Sequence, residues 1–341
     1  MEYNSGMSSD IQNPLVDSFG RAHTSLRVSV TDRCNIRCFY CMPLENIRFK
    51  ARAELLTFEE IARVVRVAAL HGVRKLRLTG GEPLVRSNLP ELIRLLREIG
   101  GIEEVALTTN GILLAEQAEA LKQAGLSRVN ISLDSLNEEI FQQITRRAGV
   151  ERVLAGIAAA QKVGFAEIRL NTVAIRHLTE GEIVPLANFA RENDLHLRFI
   201  EFMPLDADKA WHTDQVLSGR QLREIISRDV APLVEIDRLD KSQPATDYAY
   251  ADGKQRVGFI NSVTEPFCGS CNRLRMTAEG QLRNCLFGTT EWDARQILRS
   301  GGSDHELAKL LSDCVRAKKA SHGMDSPEFV PPERAMYQIG G

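Results

Sequence analysis

Apolar residues along this 341-residue chain follow two rhythms. From Leu26 to about Phe202, short runs rich in Val, Ile, Leu and Thr alternate with longer segments whose apolar residues stand three and four apart. The short runs predict strands at 26–31, 73–81, 103–111, 127–135, 166–174 and 195–203. The longer segments predict helices after each of the first five strands, at 57–72, 89–101, 113–125, 150–164 and 181–194. Thr57 with Glu60 three residues on has the form of a capping box, and Gly72 of a stop. A repeated βα unit forces a parallel sheet with right-handed crossovers. Six units fit an α/β fold of the partial (β/α)6 TIM-barrel type. A doubly wound sheet competes with it, and spacing leaves both open.

Beyond about residue 205 the rhythm breaks. A polar loop leads to a helix at 217–229, and PLVEIDRL, ATDYAYA and KQRVGFIN predict short antiparallel strands. Two helices follow at about 291–300 and 304–318, then the tail MYQIGG. The expected organisation is a mobile segment 1–13, a barrel 14–215 and a C-terminal region 216–341.

Composition is that of a folded protein, 43% hydrophobic and 26% charged, and the formal net charge of −2 argues against a sequence-independent nucleic-acid binder. No run approaches the 18 apolar residues of a membrane span, and the N-terminus lacks the basic start and apolar run of a secretory signal. Both point to a reducing, cytoplasmic setting, where clustered cysteines hold metal more often than they form disulfides.

Three of the seven cysteines fall within eight residues, Cys34, Cys38 and Cys41 in CNIRCFYC, directly after the first predicted strand. In a parallel barrel that loop lies on the active-site face. Thiolates suit zinc or iron–sulfur clusters. A structural zinc wants four protein ligands, so a zinc reading needs a distant His or Cys. A [4Fe–4S] cluster held by three cysteines leaves one iron open to a small molecule. A second triad, Cys268, Cys271 and Cys285, reads C-x2-C-x13-C, and Cys314 either completes a zinc set or is a buried small hydrophobe. Between these cysteines stand Arg273, Arg275 and Arg283. If 273–278 is a strand, Arg273 and Arg275 share one side and form a ready phosphate site.

Cys34, Cys38 and Cys41, with the aromatic Tyr40 before the last of them, resemble the signature of the radical S-adenosylmethionine superfamily. The resemblance implies that the three cysteines hold a [4Fe–4S] cluster whose open iron is chelated by S-adenosylmethionine, the source of a 5′-deoxyadenosyl radical. It also implies cofactor contacts at Tyr40, at Gly81 of TGGEP, at Ser132 of NISLDS and at Met203. DSFGRAHTSLRVSVTDRCNIRCFYCMP, TGGEPLVR, TTNG, RFIEFMPL, FCGSCNRLR and the terminal GG narrow the likeness. Together they are similar to the GTP 3′,8-cyclase family, radical lyases that open molybdenum cofactor biosynthesis.

That resemblance implies a second [4Fe–4S] cluster on Cys268, Cys271 and Cys285, binding the guanine of GTP. It places GTP contacts at Arg27, Arg77, Thr108, Arg169, Arg273, Leu274 and Arg275, and catalytic assistance at Gly340 and Gly341. The implied reaction removes the ribose 3′ hydrogen, joins C3′ to guanine C8 and passes the product to cyclic pyranopterin monophosphate synthase. A reducing electron donor, a homodimer, and no membrane or nucleic-acid partner are also implied. Arg169 stands in RLN where the family carries lysine in K-x-N, which keeps the charge and changes the donor geometry. A peptide-maturing radical enzyme and a zinc-bound scaffold are the competing readings.

Overall fold

The computed structural model describes residues 13–340 apart from 207, 209, 239, 325, 327 and 328. The expected mobile segment therefore lies, up to residue 12, outside the described residues, as does Gly341. The six expected strands form as β1 (Ser25–Ser29), β2 (Lys75–Thr79), β3 (Glu104–Thr109), β4 (Arg128–Ser132), β5 (Ile168–Ala174) and β6 (His196–Glu201). They pair in chain order, all parallel. The crossovers carry α1 (Phe58–Leu70), α2 (Leu89–Arg97), α3 (Leu114–Gln123), α4 (Glu138–Thr145), α5 (Val150–Lys162) and α6 (Ile183–Glu192). Thr57 and Glu60 close the expected capping box on α1. The spacing did not predict α4, because eight residues carry too little periodicity. Its start is set by Asn137, whose side chain accepts from the amides of Glu139 and Ile140, and its end by Arg146 in the left-handed region at φ 57°.

The C-terminal region builds onto both edges of this sheet. After α7 (Gly219–Asp229) come β7 (Leu233–Glu235), β8 (Thr246–Tyr250) and β9 (Arg256–Ile260). They were expected as antiparallel strands, and β7 and β8 pair that way. β9 is antiparallel to β8 and also parallel to β6. The long excursion between β6 and β9 supplies the crossover that a parallel pair needs. On the other edge, β10 (Arg273–Met276) pairs parallel with β1, and β11 (Gln281–Arg283) and β12 (Trp292–Asp293) follow antiparallel. The order β12-β11-β10-β1-β2-β3-β4-β5-β6-β9-β8-β7 thus has eight parallel strands at its centre, and it does not close. The architecture is a partial (β/α) barrel with short antiparallel strands at its ends. Helices α8 (Ala294–Arg299), α9 (Asp304–Arg316) and α10 (Met336–Ile339) complete the chain.

Side-chain alternation decides what each face of the sheet carries. Leu274, Leu26 and Leu76 stand in register on β10, β1 and β2, and all three are buried in the core beneath the helices. The next residue on each strand, Arg275, Arg27 and Arg77, points to the concave side.

Glu201, at the end of β6, fastens the C-terminal region to the barrel. It is 1% exposed and accepts from the amides of Gly219, Val263 and Thr264 and from the Thr264 hydroxyl, at 3.2, 2.8, 2.9 and 2.5 Å. One carboxylate thereby ties the start of α7 and the turn after β9 to the sheet. Truncation leaves buried amides without acceptors, each costing about 1–3 kcal/mol. Glu201→Ala is expected to lose roughly 3 kcal/mol of stability, read as a lower urea midpoint at unchanged slope. A loss within about 0.5 kcal/mol, the range of neutral surface changes, would contradict this role.

Candidate active site

The concave face opens into a cavity of about 580 Å³, lined from both halves of the chain. Its most unusual feature is a row of like charges. Arg27 lies directly beside Arg275 on one strand and Arg77 on the other, with Arg273 one pleat below on β10. Burial, then Arg275 and Arg273, pushes the Arg27 pKa well below its ordinary value. Burial, then Arg27, Arg128, Arg169 and Arg198, does the same to Arg77. Arg275 is brought down to about 9 by burial and then by Arg273. Like charges side by side on neighbouring strands repel, and burial strengthens the repulsion. The row has the chemistry to take several negative charges held in a line.

The first cysteine loop reaches this cavity through Tyr40. Burial pushes the Cys34 thiol up to about 11, and burial followed by neighbouring cysteines raises Cys38 and Cys41 further. Three adjacent thiols that burial keeps protonated need a cation to become thiolates, and soft iron supplies one. The loop is braced by Glu82 of TGGEP, which is buried and accepts from Thr109 Oγ1 at 2.8 Å and the Asn110 amide at 2.7 Å. Asn110 in turn donates to Asn35 Oδ1 at 2.7 Å and lies 3.8 Å from Cys34 Sγ. Burial raises the Glu82 pKa to about 7 against these donors. On the other side Tyr40 donates to Asp134 Oδ2 at 2.6 Å, joining the cysteine loop to the end of β4.

In the second triad burial again raises Cys268, but Cys271 has the opposite electrostatics. Burial works to raise the Cys271 thiol, but Arg273 and Lys318 outweigh it and bring the pKa down to about 6. Cys268, Cys271 and Cys285 all line the cavity, whereas Cys314 is in the hydrophobic core and does not. Cys314 thus behaves as the buried small hydrophobe, and a four-thiol zinc set is not assembled. Among the described residues, no three His, Cys, Asp or Glu side chains close tightly enough to enclose one metal ion. The donor chemistry fits two three-cysteine cluster sites.

Of the other residues singled out in the sequence, Arg27, Tyr40, Arg77, Thr108, Ser132, Met203, Arg273 and Arg275 line the cavity. Gly81 backs the cysteine loop, donating its amide to the Thr31 carbonyl at 2.9 Å. The Leu274 side chain lies on the core face, because the alternation that puts Arg273 and Arg275 on one side puts it on the other. Arg169 does not line the cavity. Its largely buried guanidinium pairs with Glu167 at 2.7 Å, near Arg128, which also pairs with Glu167. Gly340 reaches the ends of β1 and β2: Arg275 donates to its carbonyl, and Ser29 Oγ donates to the Ile339 carbonyl at 3.1 Å. A Cβ on Gly340 would meet Ser29 Oγ and Thr79 Cγ2, and its φ of +83° favours glycine.

Arg198, Arg21 and Lys318 are among the cavity residues that escaped the sequence reading. Arg198 is brought down to about 9 by burial and then Arg169, and it holds Gln243 Oε1 at 3.2 Å. Its signal was present, since it stands in an apolar strand where a charge needs a reason. Arg21 and Lys318 carried no such signal, because only the fold brings them to the second triad.

An open parallel barrel with a cluster-binding cysteine loop after its first strand defines a class. Residues 28–190 match the Radical SAM superfamily, and residues 195–324 match Molybdenum Cofactor Synthesis C. The crystal structure of Streptococcus suis SuiB bound to S-adenosylmethionine shares the fold at a TM-score of 0.61 and 15% identity, over 90% of this chain and 67% of that one. The chain is 51% identical to the GTP 3′,8-cyclase of Rhodopirellula baltica over 96% of its length and 92% of the relative's. It is 44% identical to that of Pelotomaculum thermopropionicum, over 96% and 100%. It is 42% identical to Molybdenum cofactor biosynthesis protein 1 of Drosophila melanogaster, over 93% of this chain and 56% of that one. The chain belongs to the GTP 3′,8-cyclase family.

A Cβ at Gly81 would lie on the Arg33 carbonyl and 2.9 Å from that of Asp32, backbone that leads directly into Cys34. Gly81→Ala is therefore expected to displace the first cysteine loop and spare the second triad. Iron after anaerobic reconstitution should fall from about eight to about four per chain. Full iron in that variant would contradict the close approach.

Proposed function

We propose that the chain converts GTP to (8S)-3′,8-cyclo-7,8-dihydroguanosine 5′-triphosphate, the first step of molybdenum cofactor biosynthesis. The in-register row Arg275–Arg27–Arg77 carries this reading, since a nucleoside triphosphate brings several negative charges in a line. Cys34, Cys38 and Cys41 would hold one [4Fe–4S] cluster, and Cys268, Cys271 and Cys285 the other. When bound, the first cluster and S-adenosylmethionine supply the radical that removes the ribose 3′ hydrogen.

The chain's own residues position and enclose the substrate. Arg27, Arg77, Arg273 and Arg275 neutralise the phosphates, and Thr108 offers a hydroxyl to a polar edge. Leu274 contributes through its backbone and packing. Arg169, paired with Glu167, adds positive charge behind the cavity wall. Tyr40, Gly81, Ser132 and Met203 shape the cofactor side. Gly340 reaches Arg275 at a point where a Cβ would meet Ser29 and Thr79, and the family resemblance supports catalytic assistance by Gly340 and Gly341. The family resemblance supports a cytoplasmic homodimer, a reducing electron donor and handover of the product to cyclic pyranopterin monophosphate synthase. Identities of 44–51% to GTP 3′,8-cyclases favour GTP over a peptide substrate.

The deciding experiment is oxygen-free reconstitution followed by incubation with S-adenosylmethionine, reductant and GTP. About eight irons per chain and GTP-dependent 5′-deoxyadenosine are expected. Zinc in place of iron, or cofactor cleavage indifferent to GTP, would overturn the reading. Cys34→Ala is expected to abolish cofactor cleavage while Cys268→Ala keeps some uncoupled cleavage; complete loss in both would contradict that division. Arg27→Ala should weaken GTP binding by about 10–100-fold, the loss of one charge-assisted contact, with S-adenosylmethionine binding unchanged. Equal weakening of both ligands in calorimetry would show general damage instead.

A further inference from the structure

The two cysteine triads differ in what surrounds their sulfurs. Cys271 Sγ faces two cations at once. Arg273 Nε and Nη2 lie 3.3 and 3.2 Å from it, and Lys318 Nζ lies 3.4 Å away. Lys318 stands just after α9, is 6% exposed, and also donates to the Arg273 carbonyl at 2.9 Å. Burying an ammonium is costly unless it is paired, so its place against a thiolate explains why it is tolerated. Arg21 then fixes the strand of chain around it. That guanidinium donates to the carbonyls of Cys268, Lys319 and Ala320 at 2.7, 2.7 and 2.9 Å, while Asp17 holds it at 2.6 Å.

The first triad has no equivalent among the described residues. The donors there are neutral: the Asn110 amide stands 3.8 Å from Cys34 Sγ, and the Tyr40 side chain is hydrogen-bonded to Cys38. Its carboxylate neighbours, Glu82 for Cys34 and Asp134 for Cys38, are acidic. Arg37 donates to the Cys34 carbonyl and not to its sulfur.

We propose that Lys318 is a positioning residue of the second cluster, fixing the Cys271 thiolate and holding the cluster at a higher reduction potential than its thiolates alone would set. Hydrogen bonds and net charge at the sulfurs are among the levers that set a cluster's potential. A fixed positive charge stabilises the reduced, more negative form. Lys318, within reach of Cys271 Sγ, therefore makes the second cluster take an electron more readily than it would without that charge. This inference rests on Cys268, Cys271 and Cys285 being ligands of a [4Fe–4S] cluster.

The full chain carrying Cys34→Ala, Cys38→Ala and Cys41→Ala isolates the second cluster. About four irons in that parent establish the ligand reading, and their absence there would defeat that reading by itself. EPR-monitored redox titration then tests Lys318. Lys318→Met and Lys318→Gln are expected to lower the midpoint so that the reduction equilibrium shifts about tenfold, about 59 mV for one electron. Lys318→Arg should stay close to the parent. An unchanged midpoint in either neutral variant with four irons bound would overturn the proposal, as would an equal fall in Lys318→Arg. Loss of iron from both neutral variants with retention in Lys318→Arg would support the positioning role, and loss from all three would overturn it.

Discussion

Three guanidiniums standing side by side across β10, β1 and β2 are the constraint on which the site depends. Each is placed by strand alternation, and each has an apolar neighbour, Leu274, Leu26 or Leu76, buried on the opposite face. The packing that secures the sheet therefore also forces the charges together. Within the cavity that arrangement is unfavourable until an anion arrives. The like-charge repulsion is present in the ligand-free protein, and an anion bound along the row would relieve it.

The open sheet makes this arrangement possible. A closed barrel would put a β/α strand of the first half beside β1. Here β10 takes that place, and it comes from the segment between the cysteines of the second triad. One pairing thus sets Arg275 beside Arg27 and brings Cys268, Cys271 and Cys285 to the cavity wall. The first cysteine loop approaches from the end of β1, and Tyr40 reaches the same cavity. Radical source and substrate site are separate chain segments that share one sheet.

The barrel strands and their helices were legible because apolar periodicity is local. The first triad was legible because its spacing is local too. The second edge of the sheet was not. KQRVGFIN reads as a strand, but nothing in it says that its partner is β6, more than fifty residues back. Arg169 shows the same limit. The family resemblance implied a GTP contact for it, and the fold instead gives it Glu167 as a partner, outside the cavity lining. Lys318 is the converse case: an ordinary lysine at the end of a helix, given its place only by tertiary contact with Cys271.

The central claim is that this cavity holds GTP with its ribose C3′ exposed to the radical generated at the first cysteine loop. GTP carrying deuterium at C3′ tests it most directly. The reconstituted protein, given S-adenosylmethionine and reductant, should produce 5′-deoxyadenosine that has gained one deuterium, measured by mass spectrometry. Product of unchanged mass from that substrate, formed at the same rate with or without the nucleotide, would contradict the account.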